Sequence, residues 1–263
     1  MIHTAHSWFP TWSRWGSEST ALNWLLPPVD LLLGPGEVHV WRAALDLAPS
    51  AVARLVPLLC DEERQRGDRF IRGELTRRFI AAHAMTRDVL SRYLRCDPET
   101  LHFSRGAHGK PFLQDARGLR FNLSHSHERA LLAVCRDREV GVDLEWIRDD
   151  VTREGIAQRF FSPHEVGALT ALPPAWQAAG FFNCWTRKEA YLKALGSGLA
   201  IALDRFDVSL APHEPARLLA DRGNADLERW DLTALDPGEG YAGALVVETP
   251  LTGLHLWQWT PQL

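Results

Sequence analysis

Asp143 and Glu145 stand two residues apart in Val140-Gly141-Val142-Asp143-Leu144-Glu145, and Glu189 and Lys193 stand four apart in Trp185-Thr186-Arg187-Lys188-Glu189-Ala190-Tyr191-Leu192-Lys193. The first run is rich in β-branched and apolar residues in alternation and predicts a strand. A period of two sends both carboxylates to one face, with Val142 and Leu144 on the other. Like charges that close raise each other's pKa unless a cation neutralises them, and a hard oxygen-binding ion such as Mg²⁺ suits the pair. In the second run a spacing of four puts Trp185, Glu189 and Lys193 on one helix face. The tryptophan can pack that face on a core while a carboxylate and an ammonium stand beside it. Each motif alone also has a plainer reading: acids in solvent on an exposed strand face, and a surface ion pair of a few tenths of a kcal/mol.

The elements that must hold these residues can be read on either side. Pro174 to Leu195 is a helical run that Gly196 closes, and Val140 to Trp146 is a strand. Upstream, Glu37 to Asp46 alternates as a strand, Ser50 to Leu59 is a short helix behind Pro49, and Asp61 to Arg95 is helical with breaks near Gly67 and Gly73. Leu101 to Ser104, Phe121 to Ser124, Ala130 to Cys135 and Val140 to Trp146 form a small antiparallel arrangement joined by polar turns such as Arg136-Asp137-Arg138-Glu139. After Trp146 helices return, from Thr152 to Phe161 and again behind Ser162-Pro163-His164-Glu165, an N-cap, a proline at the first position and an acid at N3. Strands then follow at Arg205 to Leu210, Ala216 to Ala220, Leu227 to Leu232, Tyr241 to Glu248 and Leu254 to Trp259. Helices precede strands in each half, and Arg69-Phe70 and Arg159-Phe160 hint at duplication.

Two further stretches carry reactive groups. Ser124-His125-Ser126 invites a serine nucleophile, and His125-x-His127 a metal site. No G-x-S-x-G turn surrounds Ser124, neighbouring strand residues face opposite ways, and no third ligand joins the histidines, so neither leads and His127 is read as structural. Arg64, Arg66, Arg69, Arg72, Arg77 and Arg78 against Asp68 and Glu74 make a basic segment in an acidic protein, either a solvated helix face or a phosphate site.

Taken in order, Gly109-Lys110-Pro111, Phe121-Asn122-Leu123-Ser124-His125-Ser126, G-V-D-L-E and W-T-R-K-E-A-Y-L-K resemble the Sfp-type 4′-phosphopantetheinyl transferases from about Glu37 to Trp259. The resemblance implies an α+β fold of two similar α+β subdomains related by a pseudo-twofold, with the active site in the cleft between them. The domains expected are an irregular N-terminal extension (1–36), an N-terminal subdomain (37–146) and a C-terminal subdomain (147–263). It implies transfer of the phosphopantetheine arm of coenzyme A to a serine of an apo acyl or peptidyl carrier protein, leaving 3′,5′-ADP. Asp143, Glu145 and Glu189 would then hold Mg²⁺, Glu189 would act as general base, and Lys193 would meet a pyrophosphate oxygen. Ser124, His125 and Lys110 would contact the nucleotide, and Arg66 and Arg78 its 3′-phosphate, although a lysine position of the family falls on Glu63. A phosphohydrolase of coenzyme A or nucleotides, or a carrier-binding module without chemistry, would be the alternatives.

Composition bounds the rest. With 263 residues, 46% of them hydrophobic, the chain can bury a sizeable core, and a net charge of −4 argues against a general nucleic-acid binder. Cys60, Cys96, Cys135 and Cys184 lack metal-type spacing and read as reduced thiols. No apolar run reaches transmembrane length and no secretory signal opens the sequence, so a cytoplasmic protein with no membrane partner is expected, and with the family resemblance a monomer. Trp8, Trp12, Trp15 and Trp24 are too many for a solvated tail and predict that the extension packs on the body.

Overall fold

A computed structural model describes residues 23–148, 155–196, 198–223 and 226–261. The chain runs through β1 (Glu37–Ala44), α1 (Pro49–Leu55), α2 (Asp61–Gly67) and α3 (Gly73–Leu94). Strands β2 (Phe103–Arg105), β3 (Pro111–Leu113), β4 (Leu119–Ser126), β5 (Arg129–Arg136) and β6 (Val140–Trp146) follow. The order then repeats with α4 (Ile156–Phe160), α5 (Pro163–Ala171) and α6 (Pro174–Leu195), and with β7 (Phe206–Val208), β8 (Leu218–Asp221), β9 (Trp230–Leu235), β10 (Tyr241–Glu248) and β11 (Gly253–Gln258). The fold is α+β. In each half a 22-residue helix, α3 or α6, precedes an antiparallel hairpin, β4–β5 or β9–β10.

Two sheets, ordered β11-β1-β5-β4 and β6-β10-β9, pack face to face and each carries one long helix on its outer side. The alternation along β5 shows the layering. Leu132 and Val134 join Met85 and Leu90 of α3, while Leu131 and Ala133 join Val142, Leu144 and Leu245 between the sheets. On the far side Tyr191 and Ala194 of α6 pack with Ala244 and Val246 of β10.

Local chemistry sets the ends of the helices that matter here. Pro174 occupies the first turn of α6, where a missing N–H costs nothing, and Gly196 in the left-handed region (φ 66°) stops it. Ser162 and Glu165 form a reciprocal capping box on α5. Glu165 does more than cap: its carboxylate lies 2.7 Å from the Lys188 ammonium, and both side chains are fully buried. Lys188 also donates to the carbonyls of Leu203 and Phe206, and Glu165 accepts from Val208 N–H, so every charge has partners. Removing one member of such a pair leaves a buried charge uncompensated, at about 3–5 kcal/mol. The pair locks α6 to α5 and β7.

Several expectations are corrected. β6 does not extend the β4–β5 hairpin; it pairs antiparallel with β10, because both edges of β5 are taken by β1 and β4, and β4 side chains rather than a ladder reach the edge of β6. β11 crosses the opposite way to lie parallel beside β1. β2 pairs with β3, a strand not anticipated, and Leu227–Arg229 is a 3₁₀ turn that leads into β9. The helix expected from Thr152 is described only from Ile156, since residues 149–154 lie outside the described part, as do Trp8, Trp12 and Trp15. Trp24 packs on the body: its indole donates to Asp236 O, and the Arg42 guanidinium lies 4.7 Å above its ring. All four cysteines are free. Among the described residues no helix is long and apolar enough to cross a membrane.

Candidate functional site

β4 and β6 are edge strands of different sheets, and they meet through side chains rather than a backbone ladder. Alternate residues of β4 reach across: Asn122 Oδ1 accepts from Val142 N–H (2.9 Å), Ser124 Oγ donates to Asp143 Oδ1 (2.8 Å), and Ser126 Oγ donates to Glu145 Oε2 (2.8 Å) while accepting from Trp146 N–H. The polar period of two in Asn122-Leu123-Ser124-His125-Ser126 is therefore what satisfies the free edge of β6. Asn122 and Ser126 escaped the sequence reading, although that alternation was their signal.

The opposite wall is α6, brought close by Gly141. A Cβ at Gly141 would stand 2.1 Å from Ala190 O and 2.4 Å from Ala194 N, so only glycine lets the helix backbone lie against β6. That approach brings the α6 residues to the Asp143 and Glu145 face. Lys193 Nζ donates to Asp143 Oδ1 (2.6 Å), Ser124 Oγ (3.0 Å) and Val142 O (3.3 Å). The structure thus joins Ser124, Asp143 and Lys193 directly, with Glu145 and Glu189 at their side.

Charge in this cluster is poorly balanced. Burial first, then Asp143, raises the pKa of Glu189, and Glu145 adds to it; Lys193 opposes them. Burial also raises Glu145, with Asp143 adding and the Ser126 hydrogen bond opposing. Asp143 is 4% exposed, and its Oδ2 is buried without a hydrogen-bond partner. An orphaned carboxylate oxygen beside two carboxyls whose charge is disfavoured is a donor set for a hard cation, and Mg²⁺ fits it.

The pH dependence follows from the upward shifts. The folded state keeps these two protons at pH values at which the unfolded chain, with ordinary carboxyls at 4.5, has released them. The two groups therefore favour the fold less as pH rises from 4.5 through their raised values. Mg²⁺ bound at these carboxylates would compete with the same protons. Millimolar Mg²⁺ is expected to raise Tm clearly at about pH 8 and hardly at about pH 4, by the linkage of ion and proton binding. An Mg²⁺ effect on Tm that did not change between these pH values would remove the cation from this cluster.

The remaining predicted residues lie around this centre. His125 points from the other face of β4; it is exposed by area, but the surrounding walls and the neighbouring His83 and Lys193 lower its pKa. Beyond it a cleft of ≈ 460 Å³ is lined by Arg66, Glu63, His83, Arg87 and Arg105. Glu63 takes hydrogen bonds from Arg87 (2.6 Å) and His83 (3.0 Å), which hold its pKa down to about 2 against burial. Arg78 is engaged elsewhere, with Asp46 in a two-pronged pair (2.6 and 2.8 Å) and with Glu74. The ammonium of Lys110 donates to Glu139 (2.7 Å) and to Ala194 O (3.2 Å) in the last turn of α6. Arg66 thus lines the cleft, with Phe121 and Leu123 of the same β4 face as His125, whereas Arg78 and Lys110 are tied to carboxylates.

Residues 139–246 match the model of the 4′-phosphopantetheinyl transferase superfamily, and residues 47–137 match that of the 4′-phosphopantetheinyl transferase N-terminal region. The chain is 40% identical over 227 residues to the 4′-phosphopantetheinyl transferase HetI of a Nostoc species, covering 85% of this chain and 93% of that protein. It is 32% identical over 157 residues to the 4′-phosphopantetheinyl transferase Sfp of Bacillus subtilis, covering 60% and 69%. Among solved structures, the holo-[acyl-carrier-protein] synthase of Neisseria meningitidis overlaps 43% of this chain and 98% of its own at 21% identity and a TM-score of 0.34.

Proposed function

The chain belongs to the 4′-phosphopantetheinyl transferase superfamily, and from that premise we propose that it moves the 4′-phosphopantetheine arm of coenzyme A onto a serine hydroxyl of an apo carrier protein, with the Asp143, Glu145 and Glu189 carboxylates holding Mg²⁺. The observation that carries the assignment of residues is the buried, unpartnered Oδ2 of Asp143 beside two carboxyls with raised pKa. Bound there, Mg²⁺ would supply positive charge to the pyrophosphate oxygens. Lys193 adds a second cation to the same face and keeps Asp143 aimed through its 2.6 Å contact. Glu189 would accept the proton of the carrier serine, directly or through a water, as its oxygen attacks phosphorus. The new P–O bond replaces the bond to the bridging oxygen, and that oxygen departs on 3′,5′-ADP.

The nucleotide end would lie along the cleft past His125, where Arg66 is the better placed arginine for the 3′-phosphate. Arg78 would first have to leave Asp46 and Glu74. β6 and α6 of one chain supply all three carboxylates, which supports action as a monomer, and four free thiols suit the cytoplasm.

The deciding experiment incubates the full chain with coenzyme A, Mg²⁺ and a panel of apo carrier domains and weighs the carriers. A carrier heavier by one phosphopantetheine group, with 3′,5′-ADP released, is the expected result. Free phosphopantetheine with unmodified carriers would mark a phosphohydrolase, and unchanged coenzyme A and carriers would mark a binding module.

A further inference from the structure

At the far edge of the first sheet, across β1 and β5 from β4, a second group of ligand-type side chains converges. Glu37 and His39 alternate on β1, so they share a face, and His255 on β11 is the register partner of His39. One ligand atom from each lies within 4.8 Å of the other two. The Glu37 carboxylate sits between the imidazoles, Oε2 3.8 Å from His39 Nε2 and Oε1 3.7 Å from His255 Nε2. Ligands at about 2.0–2.2 Å in a tetrahedron stand roughly 3.4 Å apart, so contraction by a few tenths of an ångström brings the carboxylate oxygens into place. We propose that Glu37, His39 and His255 form a binding site for a divalent transition metal of the zinc type, which clamps β11 to β1.

The surroundings fit a ligand set better than a chance cluster. His39 Nδ1 is 2.7 Å from Tyr93 Oη, which also accepts from Trp41 Nε1, so with Nδ1–H donating to that oxygen Nε2 is left free for a metal. Gly34 N–H donates to Glu37 Oε2 (2.7 Å) and fixes the carboxylate. The Trp257 ring lies nearly parallel to His255, at 8° and 5.7 Å, and sets the plane of that imidazole. Two imidazoles and one carboxylate suit zinc and its neighbours rather than Mg²⁺, which takes oxygen ligands. With the inner side occupied by Tyr93 and His255 partly exposed, a fourth position opens to water.

The test titrates the full chain with Zn²⁺ in a large excess of Mg²⁺, which keeps the acidic cluster out of competition, and repeats it with His255→Ala and Glu37→Gln. Both positions lie outside the catalytic face, and circular dichroism verifies the fold of each variant. One equivalent of Zn²⁺ with a rise in Tm is expected for the wild type, with affinity down roughly tenfold or more in each variant. Co²⁺ in the same site should show the intense visible bands of a four-coordinate centre, lost in His255→Ala. No saturable Zn²⁺ binding by the wild type, or equal affinity in folded His255→Ala, would overturn the proposal.

Discussion

Glu189→Gln is expected to lower turnover by about 10²–10⁴-fold, the range over which a positioned general base contributes. Glutamine keeps the length and one carbonyl oxygen but loses the charge and the basic site. Coenzyme A affinity should fall by less than about tenfold, since a group acting mainly at the chemical step shows in kcat. A third readout separates this from damage to the fold. Asp143 and Glu145 both disfavour a charge at Glu189, so the variant should have an unchanged or higher Tm without Mg²⁺. Steady-state kinetics, coenzyme A titration and thermal denaturation on one preparation give all three. Turnover equal to the wild type would remove Glu189 from the mechanism.

Gly141→Ala should damage both stability and chemistry. The new methyl group meets Ala190 O at 2.1 Å and Ala194 N at 2.4 Å, which are backbone atoms of α6 and cannot swing aside. Overpacking of this kind costs about 1–3 kcal/mol or more, and each kcal/mol lowers Tm by about 2–4 °C in a domain of this size. The helix can relieve the clash only by backing away from β6, which separates Glu189 and Lys193 from Asp143 and Glu145. A misplacement of about 1 Å is enough for about hundredfold in rate. Gly167 offers the control: it lies in α5 with nothing within 4 Å of an added Cβ. Gly167→Ala should hold or gain stability by about 0.5–1 kcal/mol through helix propensity. If Gly141→Ala matched the wild type in Tm and turnover, α6 would not lie against β6 as described.

The shared face of the acidic cluster was legible because periodicity decides faces. Two residues of strand spacing put Asp143 with Glu145, and four of helix spacing put Glu189 with Lys193, whatever lies far away in the chain. Helix ends were legible for a similar reason, since Pro174, Gly196 and the Ser162–Glu165 box act locally. Periodicity does not choose neighbours. Nothing in Val140 to Trp146 tells whether β5 or β10 takes its edge, and the answer depends on β1 already filling β5. Charge counting had the same limit. It found the arginine segment but not Asp46, which lies 32 residues before Arg78 and pairs with it. Lys188 was passed over because a lysine in a helix usually faces water, and only the fold reveals the capping Glu165 that receives it.

The exchange of β6 and β11 has a consequence for how the protein comes into being. β1, the first named strand among the described residues, finds its outer neighbour in a segment 216 residues later, with Arg42 bonded to Gln258. Such distant pairing is slow because the intervening chain must be ordered first. During synthesis the outer edge of β1 stays open, with its backbone groups available to any passing strand, until β11 arrives. Nascent chains cut short before residue 253 would expose that edge permanently. They should be the species that chaperones hold and proteases remove.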